Sequence, residues 1–372
     1  MRRVDDSRVI DTLLRHPAFA DRAVLEKALS GRFFAPFVHQ EVVCGPRFEA
    51  RARLSRAALA GVAAETVRGA ADEACAHLLG PRGVPSLLDD VRRTVARATV
   101  RIALGDDLLD SVAHAAVADI DRGIKMIGRP DMQARRALGA ALEGVLDAPE
   151  RWPAGSYLGV AREQALALDL GERVDQVASV FLATGTIQVS DVVTHALVAL
   201  AQTPAARGAT DEEVVAEAVR CWPVNSSITR QATAEVIIDG RRFPRSEPVT
   251  VVPASLPRDA TFDPRRTDGA AGWAFGVGPR ACPARRVAPM LAAAVLGRYR
   301  ALGVTIEEGY AHDRSLAREV AARLGPGPAP PRTSFARRAR SRAVFAGVCA
   351  ESYPLAFLDG LSELRRVLTE RA

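Results

Sequence analysis

The chain is short of cysteine, of long apolar runs and of excess charge, and each shortage closes off a class of protein. Its five cysteines, at 44, 75, 221, 282 and 349, are odd in number and scattered, with no C-x-x-C spacing. Neither a disulfide framework nor a zinc site is therefore indicated. No stretch approaches the ~18 consecutive apolar residues that cross a bilayer, and Met1-Arg2-Arg3-Val4-Asp5-Asp6 is too charged to open a signal peptide. The expectation is a cytoplasmic protein without a membrane partner, in a reducing compartment that suits a free thiolate. The net charge of +6, from 50 basic and 44 acidic residues, is too small to argue for a nucleic-acid partner.

What the chain does have is enough apolar content to bury a full core, 48% over 372 residues, and one large domain is expected. Helical spacing runs from Val4 to Arg15, Arg22 to Leu29, Phe48 to Leu79, Pro85 to Ala103 and Asp107 to Asp121. The segment from Gly171 to Gln202 reads as one long, largely apolar helix, and strands are few, so the fold class is mainly α with a small β-sheet region. The Gly/Pro-rich stretch from Gly325 to Pro331 is a loop or stiff linker ahead of an amphipathic helix from Tyr353 to Glu370.

The most informative segment is Phe275-Gly276-Val277-Gly278-Pro279-Arg280-Ala281-Cys282, just before an apolar helical run from Arg285 to Leu302. The segment looks like a heme-thiolate loop: a thiolate bound to heme iron must sit close to the porphyrin, and Gly276 and Gly278 would let the backbone turn tightly enough. Phe275 can cover the sulfur, and the Arg280 guanidinium suits a heme propionate. Thiolate ligation pushes electron density toward iron and favours O–O cleavage. The plain alternative is a buried free cysteine after a glycine-rich turn.

The segment closely resembles the cysteine loop of the cytochrome P-450 superfamily, F-x-x-G-x-R/H-x-C-x-G, lacking only the last glycine. A second motif lies upstream: Glu217 and Arg220 are i,i+3 neighbours on a helix from Asp211 to Trp222. Alone, such a pair is usually a surface ion pair worth ~0–1 kcal/mol. Here it precedes a proline break at Pro223, a β-hairpin turning at Asp239-Gly240, and Phe262-Asp263-Pro264-Arg265-Arg266, in the order this family uses. The resemblance, firm from about Asp175 to Leu302, implies a single heme-thiolate domain. Residues 1–170 would give the distal, substrate-side helices, 171–302 the heme-binding part, and 303–372 an atypical extension.

It further implies heme b as cofactor, with Cys282 as axial ligand, and Arg230 and Arg280 as propionate partners. Glu217 and Arg220 would form a buried triad with Arg266 or Arg265. One of Arg51 and Arg53 is a further propionate candidate, with plain solvated arginines as the alternative. A small-molecule substrate would meet Thr184, Ile187, Gln188, Val224 and Asn225. The basic residues near Cys282 (Arg280, Arg285, Arg286, Arg298, Arg300) would suit an acidic ferredoxin, or be no more than a solvated helix face.

Departures from the family bear on mechanism. The usual first helix and first strands are expected to be trimmed or absent, and the short link from Thr203 to Asp211 leaves out a peripheral helix. Relatives carry an acid and a threonine over the iron as a proton relay. Here Phe181-Leu182-Ala183-Thr184-Gly185-Thr186-Ile187-Gln188 puts Thr186 and Ile187 there in one register, and Ile187 and Gln188 in the other. Neither yields the pair, although Thr186 and Gln188 can hold a water, and Asp191 reads as a polar residue at a helix contact. Pro283 has no N–H to give the sulfur, which leaves the thiolate more electron-rich unless the proline simply starts the helix. The implied activity is monooxygenation in bacterial specialised metabolism. The alternatives are atypical peroxide-driven, substrate-assisted or redox-neutral chemistry, and a silent binding member.

Overall fold

A computed structural model of the protein describes residues 2–4, 6–21, 46–76, 78, 80–105, 152–167, 174–223, 228–251, 262–266, 274–307 and 320–328. The expected helices at Arg22 to Leu29, Asp107 to Asp121 and Tyr353 to Glu370 lie outside the described residues.

The chain opens on a strand, β1 (Arg2–Val4), where the apolar pattern suggested that the first helix had already begun. Asp6 accepts the Arg8 N–H and caps α1 (Ser7–Arg15), which places the helix start three residues later than Val4. After β2 (Phe19–Asp21), the helical stretch expected from Phe48 to Leu79 divides into α2 (Pro46–Gly61) and α3 (Ala64–Ala74). At the end of α2 a Cβ at Gly61 would stand 2.5 Å from Val160 Cγ1, so only glycine lets the helix end pack this closely on its neighbour. β3 (Arg82–Val84) leads to α4 (Leu87–Leu104), capped by Ser86, and then come α5 (Tyr157–Ala167) and the long α6 (Val174–Gln202).

A short 3-10 turn, Pro204–Gly208, fills the link before α7 (Asp211–Cys221). Thr210 and Glu213 form a reciprocal capping box that fixes the start of α7. Four strands follow: β4 (Ile228–Ala232), β5 (Val236–Ile238), β6 (Arg241–Phe243) and β7 (Pro248–Val251). Asp239 and Gly240 both take positive φ (49° and 71°), the geometry a tight two-residue hairpin requires between β5 and β6. α8 (Val287–Leu302) follows the cysteine loop, with β8 (Val304–Ile306) and β9 (Ala322–Leu324) after it.

The sheets are small and tie distant parts of the chain together. β1, β7, β4 and β2 form one four-stranded sheet, with β1 parallel to β7 and the other pairings antiparallel. β3, β9 and β8 form a second, so strands 304–306 and 322–324 join strand 82–84 in one sheet. Two apolar clusters result. The larger gathers α2 to α8 around α6, and the smaller packs Val9, Ile10, Leu13 and Leu14 of α1 on the four-stranded sheet.

From Val189 to Leu200 every residue of α6 is buried, including Ser190, Asp191, Thr194 and His195. A helix buried all round must satisfy its own polar groups. Ser190 Oγ donates to the Thr186 carbonyl at 2.5 Å and Thr194 Oγ to that of Ser190 at 2.8 Å. Asp191 lies 3.7 Å from the Arg92 guanidinium of α4, an ion pair between the two helices. The capping box yields a direct test: Thr210→Ala should destabilise the protein by about 1 kcal/mol, seen as a lower urea midpoint at an unchanged slope.

Candidate functional site

The cysteine loop begins with two glycines in the left-handed region, Gly276 at φ 65° and Gly278 at φ 75°. Gly278 is needed twice over, since a Cβ there would stand 2.8 Å from the Leu14 carbonyl oxygen and 2.9 Å from Arg15 Cα. The loop is thus seated on the C-terminal turn of α1. A 3-10 turn, Gly278–Arg280, carries the half-buried Arg280, and the Cys282 N–H donates to the Phe275 carbonyl at 2.7 Å, closing the loop. Phe275 is partly buried against the larger apolar cluster and Val277 against the smaller, so the loop straddles both cores.

Burial pushes the Cys282 thiol above its ordinary pKa, and a hydrogen bond from the Ala284 backbone opposes this. The donor that Pro283 cannot supply therefore comes from the next residue, Ala284, which stands where the family motif has its last glycine. Cys221 is also raised, to about 12, by burial first and by the Glu217 carboxylate second.

Glu217 is 5% exposed. Its carboxylate accepts two bonds from Arg220, Nε at 2.7 Å and Nη2 at 2.6 Å, in a bidentate fork, and a third from the Asp263 backbone N–H at 2.9 Å. The last bond ties α7 to the segment that leads toward the cysteine loop. Of the two arginines there, Arg266 lies near enough for its charge to act on Cys221 beside the pair. Arg265 points elsewhere, its Nη2 standing 2.9 Å from where a Gly208 Cβ would be. A stacked row joins this region to the central helix: His195 lies on Trp222 at 5.1 Å between centroids, and Trp222 on Phe262 at 5.5 Å.

The remaining predicted residues fall out unevenly. Arg230 is buried on β4, in the sheet that shares its apolar cluster with Val277. Arg53 is exposed on α2, whereas Arg56, one turn further, donates to the Pro279 carbonyl of the loop at 3.0 Å. Thr186 is buried in α6 and Gln188 half-buried. Thr184 and Ile187 belong to α6, but the Ile187 side chain, like all of Val224 and Asn225 and the segment from Ala35 to Gly45, lies outside the described residues, as does that of Thr184.

Sequence reasoning passed over Arg56, and it saw Arg286 only as one of the basic residues near Cys282. Arg286 precedes α8 and donates to the carbonyls of Leu59 (3.1 Å), Ala60 (2.9 Å) and Val62 (2.5 Å). A signal was available: Arg285 and Arg286 stand at a helix N-terminus, where the dipole disfavours cations, so a compensating partner was to be expected.

The donor set suits a heme. One thiol is held by its own loop, with a backbone donor near the sulfur, and a bound iron would offset the cost that burial imposes on the thiolate. Arg280 and the buried Arg230 supply charge for propionates, and glycines rather than side chains line the turn.

No protein-family model matches the chain, and no curated protein matches it significantly by sequence. Solved structures do match its fold. A six-coordinated cytochrome P450 from Thermus thermophilus superposes with a TM-score of 0.64 at 19% identity, covering 87% of this chain and 92% of that one. P450 RauA, solved with a biosynthetic intermediate of aurachin RE, gives 0.64 at 17% identity, with 87% and 91% covered. HmtN, a post-tailoring hydroxylase of himastatin biosynthesis, gives 0.60 at 15%, with 87% and 90% covered. The chain has the cytochrome P450 fold, mainly α with small sheets.

Removing one partner of a buried pair costs on the order of 3–5 kcal/mol. Arg220→Ala should accordingly be recovered with little or no heme, or precipitate, and Arg220→Lys, which keeps the charge but not the fork, should fall between. A well-folded, fully loaded Arg220→Ala protein would show that the pair supports nothing.

Proposed function

We propose that the protein is a heme-thiolate enzyme of the cytochrome P450 superfamily, a monooxygenase that oxidises a small or medium organic molecule in bacterial specialised metabolism. The observation that carries this reading is Cys282, set in a glycine-turned loop between both apolar cores of a P450 fold, with a backbone donor on its sulfur. Bound heme b would supply an iron whose thiolate ligand favours O–O cleavage.

The chain's own residues would do the rest. Cys282 holds the iron and Phe275 shields the sulfur. Arg230 and Arg280 neutralise the propionates, with Arg53, exposed as it is, the weakest candidate. Glu217, Arg220 and Arg266 keep α7 and the following segment in place beneath the loop. Thr184, Ile187 and Gln188 of the central helix, with Val224 and Asn225, would line the substrate side. A ferredoxin-type donor would dock on the basic face around Arg280 and Arg285. No helix among the described residues is long and apolar enough to cross a membrane.

A second reading, atypical chemistry, is favoured by the central helix. No acid accompanies Thr186 and Gln188 in the sequence, and the carboxylate one turn on, Asp191, is buried against Arg92. Turnover would then rest on peroxide, on a substrate group that moves the proton, or on a redox-neutral rearrangement or dehydration.

Reduced protein treated with carbon monoxide should show the red-shifted band of thiolate-bound heme, and Cys282→Ser should lose it. If Cys282→Ala keeps that band while Cys221→Ala loses it, the ligand assignment is wrong. The two chemical readings separate on Thr186→Ala and Gln188→Ala. Without a helix-borne acid, each should lower turnover by much less than ~10²-fold, the lower end for loss of a general acid. A larger collapse in Gln188→Ala, in an enzyme that couples reductant efficiently to product, would mean that Gln188 and an ordered water serve as the relay.

A further inference from the structure

The cysteine loop is fastened on both sides of Cys282 to the same helix end. Ahead of the cysteine, Arg56 of α2 donates to the Pro279 carbonyl at 3.0 Å. Behind it, Arg286 donates to Leu59 and Ala60 in the last turn of α2 and to Val62 just beyond. The final carbonyls of a helix have no partner within it and carry the negative end of its dipole. One guanidinium nitrogen, Arg286 Nη2, faces all three of these carbonyls and shares its two hydrogens among them. The contact is reciprocal, an arginine from each partner on the other's backbone, and α2 and α8 otherwise share no extensive packing.

Arg286 closes the turn that starts at Cys282. The Arg285 N–H donates to the Cys282 carbonyl at 3.3 Å and the Ala288 N–H to that of Ala284 at 2.8 Å, so residues 282–288 form one connected run. Because Pro283 has no N–H, the backbone donor on the sulfur is Ala284, in the middle of that run. Its aim depends on where the run is anchored, and Arg286 is the anchor.

Resting on the heme-thiolate reading above, we infer that Arg286, assisted by Arg56, is a positioning residue for the sulfur: it clamps the turn after Cys282 to the α2 C-terminus, and so preserves thiolate ligation. The arrangement makes the end of α2 part of the ligand's support.

The test uses the heme-loaded full chain and follows, in mild urea, the rate at which the red-shifted carbon monoxide band converts to that of heme without a thiolate ligand. Arg286→Gln should convert at least about tenfold faster than wild type, the loss expected for hydrogen bonds made by a charged group. Arg56→Gln should shift the rate in the same direction by less, and Arg286→Lys should recover part of the loss. Far-ultraviolet circular dichroism should hold steady while the band converts. Arg298→Gln, which breaks an exposed ion pair between α8 and Asp72 of α3, should behave as wild type.

Wild-type persistence in both Arg286→Gln and Arg56→Gln would overturn the clamp while leaving the heme-thiolate reading intact. A wild type without the red-shifted band would overturn that reading itself. Acceleration by Arg298→Gln equal to that of Arg286→Gln, or loss of helix in step with the band, would reduce the effect to general loosening and also overturn the clamp. Should Arg286→Gln not accumulate, Arg56→Gln decides, and conversion at the wild-type rate would refute the proposal.

Discussion

The Glu217 carboxylate is the contact on which the proximal half of the molecule depends. A carboxylate with 5% of its residue surface exposed survives burial only if its oxygens are fully engaged. Glu217 meets this by taking both arms of Arg220 and the Asp263 N–H. That one group therefore sets the face that α7 turns inward and where the chain re-enters after the sheet. The aromatic row of His195, Trp222 and Phe262 then locks the same junction to the central helix.

Seen from the sulfur, the support is distributed rather than local. α1 presents its last turn to Gly278, α2 reaches Pro279 through Arg56, and Arg286 returns to the end of α2. The loop has little regular structure of its own, so its geometry is borrowed from helices far away in sequence. This is the economical way to hold a buried thiol, because glycine-rich turns loose enough to approach a flat cofactor are too loose to fix it unaided.

Much of this was legible in the chain because it is local. The i,i+3 spacing of Glu217 and Arg220 determines that they can meet, Asp239-Gly240 marks a tight hairpin, and the length of the apolar run to Gln202 marks the central helix. The illegible features depend on partners distant in sequence. The glycine at the end of α2 is required by Val160 on another helix, and β1 is a strand because β7 lies beside it. Arg51 and Arg53 were the arginines of α2 that drew notice, whereas Arg56 is the one that reaches the loop, through a partner far away in sequence. The Ala284 donor was hidden because its aim is a property of the turn and not of the residue. The missing acid–alcohol pair, by contrast, is a matter of which residues stand next to one another on α6, and the local pattern reports it directly.

All of this turns on whether the Cys282 sulfur is bound to iron. X-ray absorption at the iron edge of the heme-loaded protein tests that directly. The account predicts one sulfur in the iron's coordination sphere of the wild type and none in Cys282→Ser. A coordination sphere of nitrogen and oxygen alone in the wild type, or a sulfur that persists in Cys282→Ser, would contradict it.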